Sequence, residues 1–382
     1  MAICRSSRFQ RAARSVWLAA IVALAAGSSQ AAHAGLSEAQ QRERILFEAR
    51  EQEQQIAVGG FLYGEPALDA YLQAIMDRLY PDRRGDFHVH VLRNTDVNAF
   101  ADVTGSVYFN AGTFLRVRNE AELASILAHE GGHLVADHVY RQRLQDKSAM
   151  GAKILLGSLG LLIAQLQVTS YSRDLESAAD KIAIERLTAA GYDPKAAATV
   201  FERRAREVKE RKIKEPPGFI RLLYADHPQL LDRARNTSEL AANAPPGELR
   251  RDEFLAATHA VRLATLNVIH EQRDGLALIA LLEDEGQTAE FAPAGEFLLG
   301  EGFRLRDLAG DEDRALAHYD QSILSHPEFA PAFAARGKLL DRRGERERAA
   351  SDLAHFLELD PGAEEAAFAR QSLDRLRKEQ SP

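Results

Sequence analysis

The sequence predicts an α+β chain, mainly helical, in which a domain carrying a small sheet is followed by an all-α repeat domain. Three observations carry this. Helical periodicity covers most of the 382 residues, and strand-like alternation is confined to two short runs between residues 87 and 109. Beyond a proline- and glycine-rich stretch at 243–247 no strand pattern recurs, and the last ninety or so residues carry a period of 34.

Residues 1–34 differ from all that follows. Arg5, Arg8, Arg11 and Arg14 precede an apolar run from Val16 to Ala26, and Ala32-His33-Ala34 closes the stretch. This order is that of a signal peptide cut before Gly35; a membrane anchor is the alternative, but 11 apolar residues fall short of the roughly 20 a spanning helix needs. The whole chain carries 48 basic against 56 acidic residues. Without the four arginines the count is 44 against 56, or -12 in place of -8, which argues against nucleic acid as a partner. Cys4, the only cysteine, leaves with the leader, so the exported fold has no disulfide and any metal site must use His, Asp or Glu.

In chain order, Ser37 to about Val58 reads as a solvated helix ended by Gly59-Gly60. Leu68, Tyr71, Leu72, Ile75 and Leu79 mark a second helix. Phe87, Val89 and Val91 alternate with His88 and His90 as in a half-buried strand, and Gly105 to Phe109 reads as another. A long helix is expected from Glu120 to about Val139 and a further one from Leu175 to Ala190. Between them, the glycine-containing apolar stretch 154–164 is too short to span a bilayer; it suits a buried hairpin or lid segment, or else a patch making peripheral membrane contact. The expected organisation is a signal peptide at 1–34, a catalytic domain at 35–243, a linker and helical hairpin at 244–290, and repeats at 291–382.

Gly310 and Gly344, Ala315 and Ala349, and Pro327 and Pro361 are each 34 residues apart, in the order turn glycine, small packing residue, closing proline. This resembles tetratricopeptide repeats, which implies a surface for a protein partner. Phe303 faces Gly337 in this register, so the first copy looks degenerate.

The chemistry is concentrated in His129-Glu130-Gly131-Gly132-His133. Histidines four apart on a helix share a face and can converge on one zinc ion, with the intervening glutamate placed to act on a metal-bound water. A catalytic zinc needs a third protein ligand, either His138 or a later carboxylate. With alanine at 136 in place of a turn glycine, the helix is expected to run on through His138 and turn it about 140° from His133, which leaves it a structural or supporting role. Glu176 is the better third ligand, with Asp180 one turn on, where it can accept from the far N–H of a ligand histidine.

With these pieces in place, residues 60 to 240 resemble the M48 family of gluzincin metallopeptidases. The matching segments are Leu68-Asp69-Ala70-Tyr71-Leu72, Asn98-Ala99-Phe100-Ala101 with Gly105, His129-Glu130-x-x-His133 with His138, Glu176-x-x-Ala179-Asp180, and His227-Pro228 with Arg233. The resemblance implies a zincin-like fold, one Zn²⁺ per subunit on His129, His133 and Glu176, and hydrolysis of peptide bonds with Glu130 as the base. It also implies that His227 occupies the open metal position at rest, the alternative being a turn residue. For Arg233 the resemblance implies stabilisation of the oxyanion or pairing with a carboxylate. The strand at 105–109 is expected to edge the cleft. Gly131-Gly132 departs from the family, which usually has a bulkier residue there, and two glycines cost roughly 2 kcal/mol of helix propensity.

With the leader and repeats, the chain resembles the periplasmic, beta-barrel assembly-enhancing branch of that family. This implies unfolded or misassembled envelope proteins as substrates and outer-membrane assembly machinery as a partner of the repeats. A periplasmic chaperone or assembly adaptor with a structural or blocked metal site is the rival from another class, and a peptidase acting on cell-wall peptides is a third reading.

Overall fold

The computed structural model describes residues 36–145, 171–210 and 230–380. The leader at 1–34, the stretch 154–164 and His227 lie outside the described residues. The remainder forms two compact units, the second made of Phe114–Arg116, residues 209–210 and the chain from Thr258 on.

In the first unit, helix α1 (Glu38–Val58) starts on a reciprocal cap between Ser37 and Gln40, and α2 (Pro66–Leu79) has proline in its first turn. Strands β1 (His88–Leu92), β2 (Ala99–Ala101) and β3 (Ser106–Asn110) form one sheet in the order β1-β3-β2, parallel between β1 and β3 and antiparallel between β2 and β3. Val89 and Val91 are buried and His88 is exposed, as the alternation predicts.

The central place of β3 corrects the expectation that the strand at 105–109 edges the cleft. A tight turn, with Gly105 N–H donating to Asp102 O (3.0 Å), folds β3 back onto β2, and β1 pairs along its other side. Gly105 sits at φ +91°, and a Cβ there would meet the Asp86 carbonyl oxygen at 2.1 Å. Among the described residues β2 takes the outer position. The bonds from Asn110 N to Asn98 O and from Asp102 N to Ser106 O set the antiparallel alternation. Asn98, Phe100 and Asp102 therefore turn their backbone groups toward β3, and Ala99 and Ala101 turn theirs away.

Helix α3 (Glu120–Val135) is capped by the Asn119 side chain, which accepts from Glu122 N, and it is buried almost throughout. It packs against β2 and against α5 (Arg173–Ala189), whose cap is Ser172. Between them lies α4 (His138–Gln145). Helices α6 (Ala196–Glu210) and α7 (Leu230–Ala241) follow. The stretch Asn243–Gly247 runs within this first unit. Gly247 presses on the Tyr192 backbone, and the carbonyls of Leu249 and Arg250 accept from the free N–H groups of Ala121 and Glu120 at the start of α3.

Helix α8 (Arg251–Glu271) carries the division between units. The second unit continues with α9 (Gly275–Leu282), α10 (Ala294–Arg306), α11 (Asp311–Ser325), α12 (Ala330–Arg342), α13 (Arg346–Leu359) and α14 (Ala366–Gln380). This all-helical region fits tetratricopeptide-like repeats: Gly310 and Gly344 turn the chain at φ +82° and +78°, ahead of α11 and α13. The small residue of the first repeat is Gly300, one turn before Phe303. Gly300 lies against Tyr319 as Gly337 lies against Leu353, while Phe303 fills the core beside Leu278 and Leu298. Glu301 is buried here, accepting from His270 Nε2 (2.7 Å), Tyr319 OH (2.5 Å) and Arg304 Nη2 (2.6 Å).

Candidate metal centre

Helix α3 presents His129 and His133 from one face, as their four-residue spacing requires, with ring planes at 84° and Nε2 atoms 3.1 Å apart. Helix α5 supplies Glu176, whose Oε2 lies 3.4 Å from His129 Nε2 and whose Oε1 lies 3.5 Å from His133 Nε2. All three side chains are buried, and the donor atoms lie within 4.8 Å of one another. The donor set fits a metal ion. Four ligands at the 2.0–2.1 Å bonds of tetrahedral zinc stand about 3.3 Å from each other, and the contacts here, with one Glu176 oxygen toward each histidine, are of that order. Two imidazole nitrogens and a carboxylate converging in a buried site form a donor set that could hold a divalent cation.

Two glycines let the helices approach. A Cβ on Gly132 would stand 3.2 Å from the Ala179 carbonyl oxygen on α5, and one on Gly131 would fall 2.4 Å from the Tyr80 ring. Tyr80 is held there by donating to Ala128 O (2.5 Å). The departure at 131–132 thus brings α3 against α5 and Tyr80.

Asp180 lies one turn beyond Glu176, with Oδ1 3.0 Å from His129 Nδ1. Burial raises its pKa, but the charges of Arg233 and His129 outweigh this and hold it well below the usual carboxylate range. Burial and Arg233 likewise oppose a proton on His129, yet hydrogen bonds to Asp180 and Glu176 prevail and raise the ring to about 9.

Arg233 reaches in from α7, is buried, and stacks on Phe201 with its guanidinium carbon 4.1 Å from the ring centre. Its Nη2 lies 2.6 Å from Asp180 Oδ1 and its Nη1 3.2 Å from Glu176 Oε2. Of the two roles expected for Arg233, this geometry is that of carboxylate pairing. Glu130 is buried next to His129, close enough for its charge to act on both Arg233 and Tyr80.

His138 departs from expectation. The helix does not continue through Ala136: α3 ends at Val135, Asp137 takes φ +59°, and α4 begins at His138. Aspartate tolerates this left-handed conformation, so no glycine is needed. The break turns His138 back, and its Nδ1 lies 3.1 Å from Nδ1 of His133. Sequence reasoning missed Tyr171, whose ring stacks on His133 with centroids 3.9 Å apart and planes at 18°. Its only signal is an aromatic residue just ahead of the Ser172 cap.

Residues 65–241, which contain every residue of this centre, match the profile of peptidase family M48. The chain is 30% identical to the beta-barrel assembly-enhancing protease of Yersinia pestis, over 44% of this chain and 40% of that protein. It is 27% identical to the Escherichia coli K12 protein of the same name, over 37% and 34%. It is also 28% identical to the mitochondrial metalloendopeptidase OMA1 of Schizosaccharomyces pombe, over 44% and 49%. The matches span less than half the length of each of these relatives.

Proposed function

We propose, from the premise that residues 65–241 are a peptidase family M48 domain, that the chain is a zinc-dependent endopeptidase of the bacterial envelope. The observation that carries this reading is the buried His129–His133–Glu176 triangle with Glu130 beside it. When bound, zinc supplies Lewis acidity, bringing the pKa of water toward about 7 and polarising a carbonyl. The protein supplies the rest. Glu130 takes the proton of the attacking water and passes it to the departing amine. Asp180 fixes the orientation of His129, and Arg233 pairs with the buried carboxylates of Glu176 and Asp180.

Names of the relatives support outer-membrane protein quality control as the process, with misassembled envelope proteins as substrates and assembly machinery as the partner of the repeats. The leader at 1–34 supports export to the periplasm, and among the described residues no helix is long and apolar enough to cross a membrane. A domain plan of peptidase at 35–243 and repeats at 291–382, with His227 and the stretch 154–164 as a resting-state ligand and a peripheral membrane contact, belongs to the same proposal.

The test is metal content and casein cleavage on one sample of mature protein, with and without chelator, for wild type and Glu130→Gln. Zinc retained in both and cleavage lost in the variant is expected. Cleavage retained by Glu130→Gln overturns the mechanism, and a zinc-loaded wild type that cleaves nothing but suppresses aggregation favours the chaperone reading.

A further inference from the structure

The ring of His133 is contacted on two sides by residues that are not metal donors. Tyr171 lies flat against one face, with centroids 3.9 Å apart and an interplanar angle of 18°, and is itself 7% exposed. At the ring edge opposite Nε2, His133 Nδ1 faces His138 Nδ1 at 3.1 Å, with the two rings inclined at 67°. Tyr171 and His138 also lie near each other, their ring centroids 6.3 Å apart. His133 is wholly buried, and its Nε2 points toward His129 Nε2 and Glu176 Oε1.

These contacts fix different degrees of freedom. Where no ion lies between them, a 3.1 Å contact between two ring nitrogens is a hydrogen bond, with the hydrogen on one and a lone pair on the other. If His133 Nε2 is to donate to a metal, the hydrogen must be on Nδ1, and His138 must then be neutral with its lone pair on Nδ1 and its own hydrogen on Nε2. That contact selects the tautomer but leaves the ring able to rock about the N–H···N axis. A ring stacked flat on the imidazole face opposes this rocking. His129 is braced otherwise, by the Asp180 carboxylate at its Nδ1.

We propose that Tyr171 is a positioning residue for His133, completing with His138 a two-sided clamp that fixes the plane and tautomer of this metal ligand. The inference deepens the metallopeptidase reading and rests on it.

The test is the affinity of the mature full-length chain for Zn²⁺, measured by competition with a chromophoric chelator. The visible absorption of the Co²⁺-substituted protein reports ligand geometry. Tyr171→Ala is expected to weaken zinc binding by about 10- to 100-fold and to alter the cobalt spectrum, while Tyr171→Phe, which keeps the stacked ring, stays within about twofold of wild type. His138→Ala is expected to weaken binding similarly, and His138→Asn, whose Oδ1 can accept from His133 Nδ1, to recover most of the loss. Circular dichroism in chelator establishes that each variant is folded; Tyr171→Leu replaces the alanine variant if that one is not. Wild-type zinc affinity in folded Tyr171→Ala or Tyr171→Leu overturns the clamp, as does equal weakening by Tyr171→Phe. A wild-type chain that binds no zinc defeats the metallopeptidase reading itself, so the two failures are distinguishable.

Discussion

The Asp180 carboxylate sits 3.0 Å from Nδ1 of His129, at the far side of the ring from the Nε2 that faces His133 and Glu176. A negative charge there favours a hydrogen on Nδ1 and makes Nε2 a stronger donor. The same carboxylate holds Arg233 at 2.6 Å, so one residue faces a candidate ligand and anchors the cation beside it.

Asp180→Asn keeps an oxygen for the His129 N–H but removes the charge. Metal affinity is expected to fall about 10- to 100-fold, as outer partners of metal-bound histidines generally require. Chelator competition measures it; an unchanged dissociation constant would show that Asp180 acts on Arg233 alone.

Gly131→Ala should destabilise the protein even though alanine is the better helix former by about 1 kcal/mol. Its Cβ would fall 2.4 Å from a Tyr80 ring that is buried and tied to Ala128 O. Overpacking of this kind costs about 1–3 kcal/mol, which exceeds the propensity gain at the upper end. Gly132→Ala meets its nearest neighbour at 3.2 Å and should be close to neutral. Thermal unfolding of the two variants in chelator separates packing from metal binding, and a Gly131→Ala protein as stable as wild type refutes the wedge.

Acid should weaken the helical C-terminal unit through Glu301. Burial raises the pKa of this carboxyl, but hydrogen bonds from Arg304, His270 and Tyr319 outweigh it and bring the group down from the ordinary 4.5 to about 2. A depressed carboxylate pKa stabilises the fold above 4.5 and loses that contribution as pH falls from 4.5 through 2. The contribution is on the order of 3 kcal/mol at neutral pH. Chemical unfolding between pH 2 and 6, followed by helical circular dichroism, should show this slope in wild type and a flatter one in Glu301→Gln. Equal slopes would remove Glu301 as the cause.

What was legible in the sequence was local. Histidines at 129 and 133 and acids at 176 and 180 share helix faces by spacing alone, so the donor set could be written down before any helix was placed. The features missed depend on partners distant in the chain or on uncommon backbone. Nothing near Ser106–Asn110 tells that β1 and β2 flank it on both sides, because strand order is set by contacts with residues 88–92 and 99–101. The break at Asp137 was hidden because an aspartate, not a glycine, adopts the left-handed conformation. In the repeats, strict 34-residue register pointed to Phe303, whereas the helix brings Gly300, one turn earlier, against Tyr319.

Removing the metal should lower the melting temperature of the wild-type chain and leave His133→Ala unchanged. An ion that binds only the folded state stabilises it by mass action, about 4 kcal/mol when free metal exceeds the dissociation constant a thousandfold. The source of this gain is specific. Glu176 and Asp180 are both buried, and Arg233 is the cation paired with them at 3.2 and 2.6 Å. A divalent ion held by His129, His133 and Glu176 would offset charge that Arg233 otherwise shares between two carboxylates and would link α3 to α5. His133→Ala removes one of three donors, so chelator has little left to take away. Scanning calorimetry with zinc and with excess chelator, for both proteins, reads the effect directly. Coincident wild-type curves would mean that the triangle binds no metal under those conditions, and the hydrolytic reading would lose its premise.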